Sequence, residues 1–390
     1  MTLTMEKTKT NLTSTKLFTV RVLMLFPIFT LLAFIPYVNS IIAVVGLALM
    51  LISLLFSKLN RTAFVILIMS TVCTLIGFTF TDGTLINKNE VVYFLFMCVY
   101  FVFFIANSND IYTVLSKEVR YVKIICGLWN LLVLFSFLLP SSYGSDGAFT
   151  SFTSTTFRLS PSALFVMVLA TFLTVTRDRR FVLFSFVPFL SILLGSSRTY
   201  LVVGSFAMLI NLFFAIKNKK YFIFILVVFI IALVFVVLNS AMGQKFINSF
   251  AESKYLDALA VFSSGRSNFW ERDLVAFFEQ EPINIIFGCG YNFIREVNMT
   301  VANSESGIWA HNDFIQVLIT FGFVGLLIYI IAMVYIFRKF FSAKMPFGLK
   351  FSLFMIWFFN AMFNMYYTYT CSMLCFPMLM LICSKIYKRD

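Results

Sequence analysis

The chain has 390 residues, of which 61% are hydrophobic and only 12% are charged. Soluble domains carry about 25% charged residues, so this composition excludes a soluble globular protein. The net charge of +13 is distributed between hydrophobic runs and forms no basic surface interleaved with stacking aromatic residues. We therefore expect a membrane protein that does not bind nucleic acid.

Twelve hydrophobic runs predict an all-α, multi-pass membrane protein with about 12 transmembrane helices. They are residues 18–38, 41–57, 63–80, 91–106, 121–140, 160–176, 181–195, 199–216, 221–239, 312–337, 351–366 and 369–384. The nearly continuous run 181–216 would form one helix of about 54 Å, whereas the hydrocarbon core measures about 30 Å. We divide it at Gly195–Arg198, because lipid does not accept the arginine. Residues 351–384 are divided likewise, at the polar patch 366–370.

The distribution of basic residues predicts that both termini are cytoplasmic. In this orientation the inner segments hold 22 of the 30 Lys and Arg residues, and the outer segments hold 12 of the 17 Asp and Glu residues. Cytoplasmic loops concentrate positive charge, so the asymmetry favours this topology. No small-residue cleavage site follows the first hydrophobic run, so residues 1–16 are interpreted as a cytoplasmic tail. We expect a single membrane domain over residues 1–390.

Residues 240–310, the longest polar segment, are expected to form a large extracytoplasmic loop that contains short helices. Long loops in otherwise compact proteins are usually functional. Residues 268–279 predict a surface helix with Trp270 and Phe277 on one face. The sequence Gly288–Cys289–Gly290 must bend sharply. It is either a plain turn or a turn whose backbone N–H groups approach a ligand.

The candidate chemical residues lie on the predicted outer side. His311 is the only histidine and stands directly before a predicted span, close to Asp313. A lone histidine is more often structural than catalytic. Arg158, Arg198 and Arg266 are placed on the same side, although each could instead hold lipid phosphates. Two guanidinium groups would match the oxygens of a pyrophosphate, so we expect a site for that group here.

Five short motifs in this part of the chain resemble the domain shared by O-antigen polymerases (Wzy) and O-antigen ligases. They are Gly195–Thr199, Ser264–Gly265–Arg266 with Trp270, Gly288–Tyr291, His311–Asn312–Asp313 and Phe321–Gly325. The resemblance covers roughly residues 185–335. It implies a GT-C-like membrane glycosyltransferase of the bacterial cytoplasmic (inner) membrane. The implied donor and acceptor are undecaprenyl-pyrophosphate-linked glycans, and membrane lipid and a chain-length regulator protein are the other implied partners.

The resemblance also implies roles for individual residues. Arg198 and Arg266 would bind the donor pyrophosphate, and His311 would orient or deprotonate the acceptor hydroxyl. The expected substrate-binding residues are Arg158, Gly265, Trp270, Gly290, Tyr291, Asn312 and Asp313. The chain has no Asp-x-Asp pair for a divalent ion, so the arginines would supply the positive charge and neither metal nor cofactor is expected.

Three functions are compatible with these patterns. The first is a polymerase that extends O-antigen or capsule, by whole repeat units, in surface polysaccharide biosynthesis. The second is a ligase of the same family, which transfers polymer to the lipid A core, and the shared motifs do not separate the two. The third is a flippase or transporter of lipid-linked oligosaccharides. Transporters bind substrates near the membrane midplane, so the long outer loop and the absence of charge in mid-span disfavour it.

Overall fold

The computed structural model describes residues 38–55, 57–80, 85–144, 147–153, 155–195, 197–238, 266–302 and 308–387. In these ranges the protein consists of α-helices and short 3-10 helices, and its only β-type pairing is an isolated bridge between Tyr143 and Phe149. The all-α prediction is therefore confirmed for this part of the chain. Nearly all of the predicted span 18–38, and residues 240–265 and 303–307 of the predicted outer loop, lie outside the described residues.

Fifteen α-helices occur in the described residues. In chain order they are α1 (Val38–Leu55), α2 (Arg61–Phe80), α3 (Leu85–Ala106), α4 (Ser108–Lys117), α5 (Val119–Ser136), α6 (Thr156–Thr176), α7 (Phe186–Leu194), α8 (Arg198–Ala215), α9 (Lys219–Leu238), α10 (Ser267–Phe278), α11 (Pro282–Phe287), α12 (Phe293–Ala302), α13 (Asp313–Phe340), α14 (Phe347–Asn364) and α15 (Thr370–Tyr387). A 3-10 helix, Arg179–Ser185, leads directly into α7.

The apolar helices make this a membrane protein, but the predicted count of twelve spans is not confirmed. By length and composition, five of the described helices could cross a membrane: α2, α5, α6, α8 and α13. A sixth candidate combines α3 and α4, which bend by 77° at their junction. The predicted span 181–195 contains only nine residues of α-helix in α7, which is about 14 Å and half of the hydrocarbon core.

The centre of the helix bundle is α6, whose residues are almost entirely buried and which packs against α7, α8 and α15. Helices at the periphery expose large hydrophobic side chains. Examples are Leu131 and Phe135 on α5, and Phe224 and Phe235 on α9. Contiguous exposed hydrophobic surface of this kind is unfavourable in water, so these faces are the ones that contact lipid.

Both predicted helix breaks are present. Helix α7 ends at Leu194 and α8 begins at Arg198, which places that arginine at the tip of a hairpin. Helix α14 ends before Met365, whose left-handed backbone (φ 56°) turns the chain toward α15. Hydrogen bonds join the start of α8 to the end of α14 and to the start of α15. These termini therefore meet at one end of the bundle, called the site end below.

Helix α13 was predicted as one continuous span but is broken at Gly322 (φ 68°, ψ −169°). A break leaves carbonyl groups of the preceding turn without their helical N–H donors. The turn that follows α11 supplies two replacements. The Cys289 N–H donates to the Ile319 carbonyl at 2.8 Å, and the Gly290 N–H donates to the Thr320 carbonyl at 3.3 Å. This turn therefore uses its N–H groups to brace α13.

Candidate active site

The carbonyl group of Phe363 joins two of the predicted arginine positions. Arg266 Nη1 donates to this oxygen at 3.2 Å, and Thr199 Oγ1, adjacent to Arg198, donates to it at 3.4 Å. Phe363 lies in the last turn of α14, where carbonyl groups lack helical donors and carry the negative end of the helix dipole. The start of α8 and the residue before α10 are thus held against the end of α14.

The electrostatic environment of Arg266 is unfavourable for a cation. Burial lowers the pKa of its guanidinium below the ordinary value, and the charge of Arg198 lowers it further, while Tyr369 has the opposite effect. Bringing two like charges together in a partly desolvated place costs free energy. A bound dianion would offset that cost, because it attracts both guanidinium groups and accepts their hydrogen bonds.

His311 lies beside Arg266 and has an unusual backbone conformation. Its φ of 49° is in the left-handed region, which costs about 1–3 kcal/mol for a residue other than glycine and persists only where the surroundings enforce it. Burial lowers the pKa of its imidazole to about 3, and the charge of Arg266 adds to this effect. The ring is therefore neutral at physiological pH. Its buried Nδ1 has no hydrogen-bond partner among the described residues, so one hydrogen-bonding position of the ring is unused there.

Trp270 connects α10 to the segment that carries His311. Its indole N–H donates to the Ala310 carbonyl at 2.7 Å, and its ring packs near the ring of Phe363, with centroids 6.3 Å apart. Because Trp270 is buried, these contacts make it an anchor of the cluster. Its predicted role in substrate binding remains a prediction.

Asn312 and Asp313 both fix the start of α13. The Asn312 side chain caps the helix by accepting from the Phe314 N–H at 2.9 Å. The buried Asp313 carboxylate accepts from the Tyr329 hydroxyl at 2.7 Å, and that hydroxyl accepts from the Trp357 indole N–H at 3.3 Å. These bonds attach α13 to α14 and give both side chains structural partners. Their substrate-binding roles remain predictions.

The other predicted substrate-binding residues have different surroundings. Gly265 lies outside the described residues. Arg158 is exposed in the first turn of α6. Gly290 belongs to the turn that braces α13, and Tyr291 is buried with its ring centroid 4.3 Å from that of Trp309. The structure thus brings Arg198, Arg266, His311 and Trp270 together, and it gives Gly290 and Tyr291 packing contacts.

Sequence reasoning missed three residues that shape this site. Phe363 acts through its backbone carbonyl, which leaves no signal in a sequence. Asp273 is fully buried on α10, and its Oδ1 accepts from Asn298 Nδ2 at 2.9 Å. Burial raises the pKa of Asp273 to about 7. The available signal was an acidic residue on the same helix face as Trp270 and Phe277.

The positive charge of the site comes from the guanidinium groups. Among the described residues, no three His, Cys, Asp or Glu side chains are grouped so that they could hold a metal ion. Metal independence itself remains a prediction, to be tested with a chelator.

The part of the chain that builds the site matches a known family. Residues 181–330 match the family model described as O-antigen ligase. The match supports a relationship between this segment and the O-antigen polymerase and ligase family. It includes Arg198, Arg266 and His311, whereas Phe363 lies beyond it. No curated protein matches the chain.

The match bears on the broad class of activity. Members of that family are glycosyltransferase-like enzymes, and the family implies lipid-linked polysaccharide substrates within a membrane. The match supports polymerase or ligase activity in general and does not separate the two. The O-antigen family segment extends from the 3-10 helix before α7 into α13, and so contributes all three side chains of the cluster.

Proposed function

We propose that this protein is a surface polysaccharide polymerase, which joins undecaprenyl-pyrophosphate-linked repeat units of O-antigen or capsule by metal-independent glycosyl transfer. The site end would face the outer side of the bacterial cytoplasmic membrane, with both chain termini in the cytoplasm. The observation that carries the proposal is the convergence of Arg198, Arg266 and a neutral His311 inside the O-antigen family segment.

In the proposed reaction a sugar hydroxyl of the acceptor attacks the anomeric carbon of the donor. The bond between that carbon and the phosphate oxygen breaks, and the pyrophosphate leaves with the electron pair. Negative charge grows on the leaving group in the transition state, where Arg198 and Arg266 would stabilise it. The hydroxyl proton would pass to His311. Removing one such preorganised donor typically costs about 10²–10³-fold in rate.

The low pKa of His311 fits a base that is activated by its substrate. In the free protein, burial and the charge of Arg266 both hold the pKa of His311 down to about 3. A pyrophosphate bound to Arg266 would neutralise the second cause. The pKa of the imidazole would then rise toward its ordinary value, where it accepts a proton more readily at neutral pH. Donor binding would thus prepare the base for the acceptor.

The positions of the charged groups argue against a transporter. Arg198 is the first residue of α8, Arg266 directly precedes α10, and His311 stands two residues before α13. All three therefore lie at helix ends, whereas transporters hold their substrates near the membrane midplane.

O-antigen ligase is the second candidate, because the matching family model carries that description. A ligase would use the same arginines and histidine on the same kind of donor. It would differ in the acceptor, which is the lipid A core instead of another lipid-linked repeat unit. The described residues of the site serve either acceptor equally.

Deleting the gene and resolving the surface glycan on a gel tests the proposal. A polymerase deletion leaves single repeat units attached to the core, whereas a ligase deletion leaves core with no polymer and lipid-linked polymer in the membrane. Complementation with the unaltered gene should restore the ladder, and complementation with Arg266→Ala should not. An unchanged ladder in the deletion strain would contradict both activities.

A further inference from the structure

The segment that carries His311 is attached to its neighbours at alternate residues. The Ile308 carbonyl accepts from Asn298 Nδ2 at 3.2 Å, and the Ala310 carbonyl accepts from the Trp270 indole N–H at 2.7 Å. Two residues further on, Asn312 caps α13. His311 lies between these attachments with its φ at 49°. A left-handed conformation of this kind persists only where neighbouring contacts enforce it, so each attachment helps to hold the imidazole in place.

The first attachment depends on a buried polar cluster. The Asn298 side chain is fully buried on α12, and its amide donates both to the Ile308 carbonyl and to Asp273 Oδ1. Its own oxygen accepts from the Arg272 guanidinium. With these partners, the Asn298 amide has one orientation, in which Nδ2 faces the Ile308 carbonyl.

Asp273 is buried at a cost that its packing role does not require. Its side chain is fully buried on α10, and its second oxygen has no hydrogen-bond partner among the described residues. A hydrophobic residue there would pack against α12 without this penalty. The gain from a carboxylate at this position is the direction that it gives to the Asn298 amide.

We propose that Asp273 and Asn298 are positioning residues for glycosyl transfer, which act by fixing the Ile308 carbonyl and thereby holding His311 beside Arg266. This inference rests on the proposed function, because it explains the placement of the proposed base. Both side chains are fully buried, and neither is one of the proposed reacting groups. The rigid helix α10 then connects both components of the site: Arg266 precedes it directly, and Trp270 and Asp273 on it secure the histidine segment.

Two variants separate positioning from helix packing. Asp273→Asn keeps an oxygen that accepts from Asn298, so the bond to Ile308 survives. The raised pKa of Asp273 indicates that a neutral amide is a close substitute there. Adding Asn298→Asp to it makes a swap, in which Asn at position 273 donates to Asp at position 298 and Arg272 pairs with that carboxylate. The swap retains the contact between α10 and α12 but has no donor for the Ile308 carbonyl.

Both variants are purified at full length, and their turnover is measured with an undecaprenyl-pyrophosphate-linked repeat unit. The control is Glu279→Gln, which changes an exposed residue of the same region. We expect Asp273→Asn to retain kcat within about twofold. The swap should lower kcat by about 10–100-fold with the donor KM unchanged, since a misplacement of about 1 Å costs up to about 10²-fold while the arginines remain intact. The melting temperatures of the two variants should agree within a few degrees.

The outcomes distinguish this inference from the proposed function. If the swap turns over as fast as Asp273→Asn, Asn298 only joins two helices and the positioning role is wrong. His311→Ala is measured alongside: unchanged turnover in that variant would overturn the proposed base. Should the swap unfold, Asp273→Leu combined with Asn298→Leu serves instead, because replacing both polar partners by apolar groups of similar size can be nearly neutral for stability and still removes the donor to Ile308. Wild-type kcat in that double variant would contradict the positioning of His311 by Asp273 and Asn298.

Discussion

Replacing Gly288 by alanine should destabilise the protein more than an ordinary surface substitution, because two backbones touch at this residue. Gly288 has φ 95° and ψ 165°, a combination that only glycine adopts readily. A β-carbon there would overlap the Thr320 carbonyl and lie 2.6 Å from the Phe321 nitrogen. These are main-chain atoms at the break of α13, so they cannot rotate away.

The expected loss has two parts. Forcing alanine into this backbone conformation costs about 1–3 kcal/mol. Moving the turn away from α13 weakens the hydrogen bonds from Cys289 and Gly290 to α13, which contribute about 0.5–1.5 kcal/mol each. The free energy of unfolding should therefore fall by about 2–6 kcal/mol, whereas a typical substitution costs about 1 kcal/mol.

Thermal unfolding of the purified protein in detergent measures this loss. Gly127→Ala is the matched control, because its β-carbon would meet no atom within 4 Å beyond the adjacent backbone of its own helix, and alanine favours the helix by up to about 1 kcal/mol. Gly322→Ala would overlap the Ile286 carbonyl across the same contact, so its effect should not add fully to that of Gly288→Ala. A melting temperature of Gly288→Ala equal to that of Gly127→Ala would refute the reasoning.

Three further predictions concern the chemistry. Arg266→Lys and Arg198→Lys keep the charge but lose the two-pronged geometry, so each should shorten the polymer and lower turnover by about 10²-fold at normal protein abundance. Arg179→Lys, at an exposed position, is the control. Full activity in both site variants would show that a point charge is sufficient to stabilise the leaving group. Excess EDTA should not stop the purified enzyme, and restoration of lost activity by a divalent ion would contradict metal independence. Because the pKa of His311 is lowered to about 3 in the free protein, the ring stays neutral down to about pH 4. The pH profile of kcat/KM, which reports the free enzyme, should therefore show no acid limb near pH 6.5, and a limb there would place the histidine in a solvated site. The pKa of His311 is about 6.5 in the unfolded chain and lower in the folded protein, so folding favours the neutral ring. The free energy of unfolding that depends on this neutral ring should be fully present above pH 6.5 and should be lost as the pH falls toward 3.

The sequence was sufficient for features that depend on local composition. Long apolar runs predicted α2, α6 and α8, because a helix satisfies its own backbone groups in lipid. The Gly195–Arg198 break was predictable because a charge cannot remain within a continuous span. The separation of α14 from α15 followed from the polar patch between them. Each of these inferences uses only a local stretch of sequence and the polarity of the surrounding medium, water or lipid.

Features that depend on distant contacts were not predictable. The break at Gly322 is stable because the turn after α11 supplies donors to α13, and that pairing joins residues 30 positions apart in the chain. The 77° bend between α3 and α4 likewise depends on packing. At the site, the sequence named the arginines and the histidine as candidates, but it gave no sign that the Phe363 carbonyl binds both Arg266 and Thr199, the neighbour of Arg198. Every residue type has a backbone carbonyl, so only the position of Phe363 in the fold, and not its side chain, gives it this role.

The most direct test of the central claim is the turnover of His311→Ala and His311→Gln with an undecaprenyl-pyrophosphate-linked repeat unit, measured together with donor binding. Acid–base assistance is worth about 10²–10⁴-fold, so His311→Ala should lose that factor in turnover while the arginines retain the donor. His311→Gln should be equally slow if the imidazole takes the proton, because an amide can position a hydroxyl but cannot deprotonate it. Near-normal turnover in the Gln variant would reduce His311 to a positioning group. Near-normal turnover in the Ala variant would contradict the account, because the cluster of Arg198, Arg266 and His311 would then not be the site of glycosyl transfer.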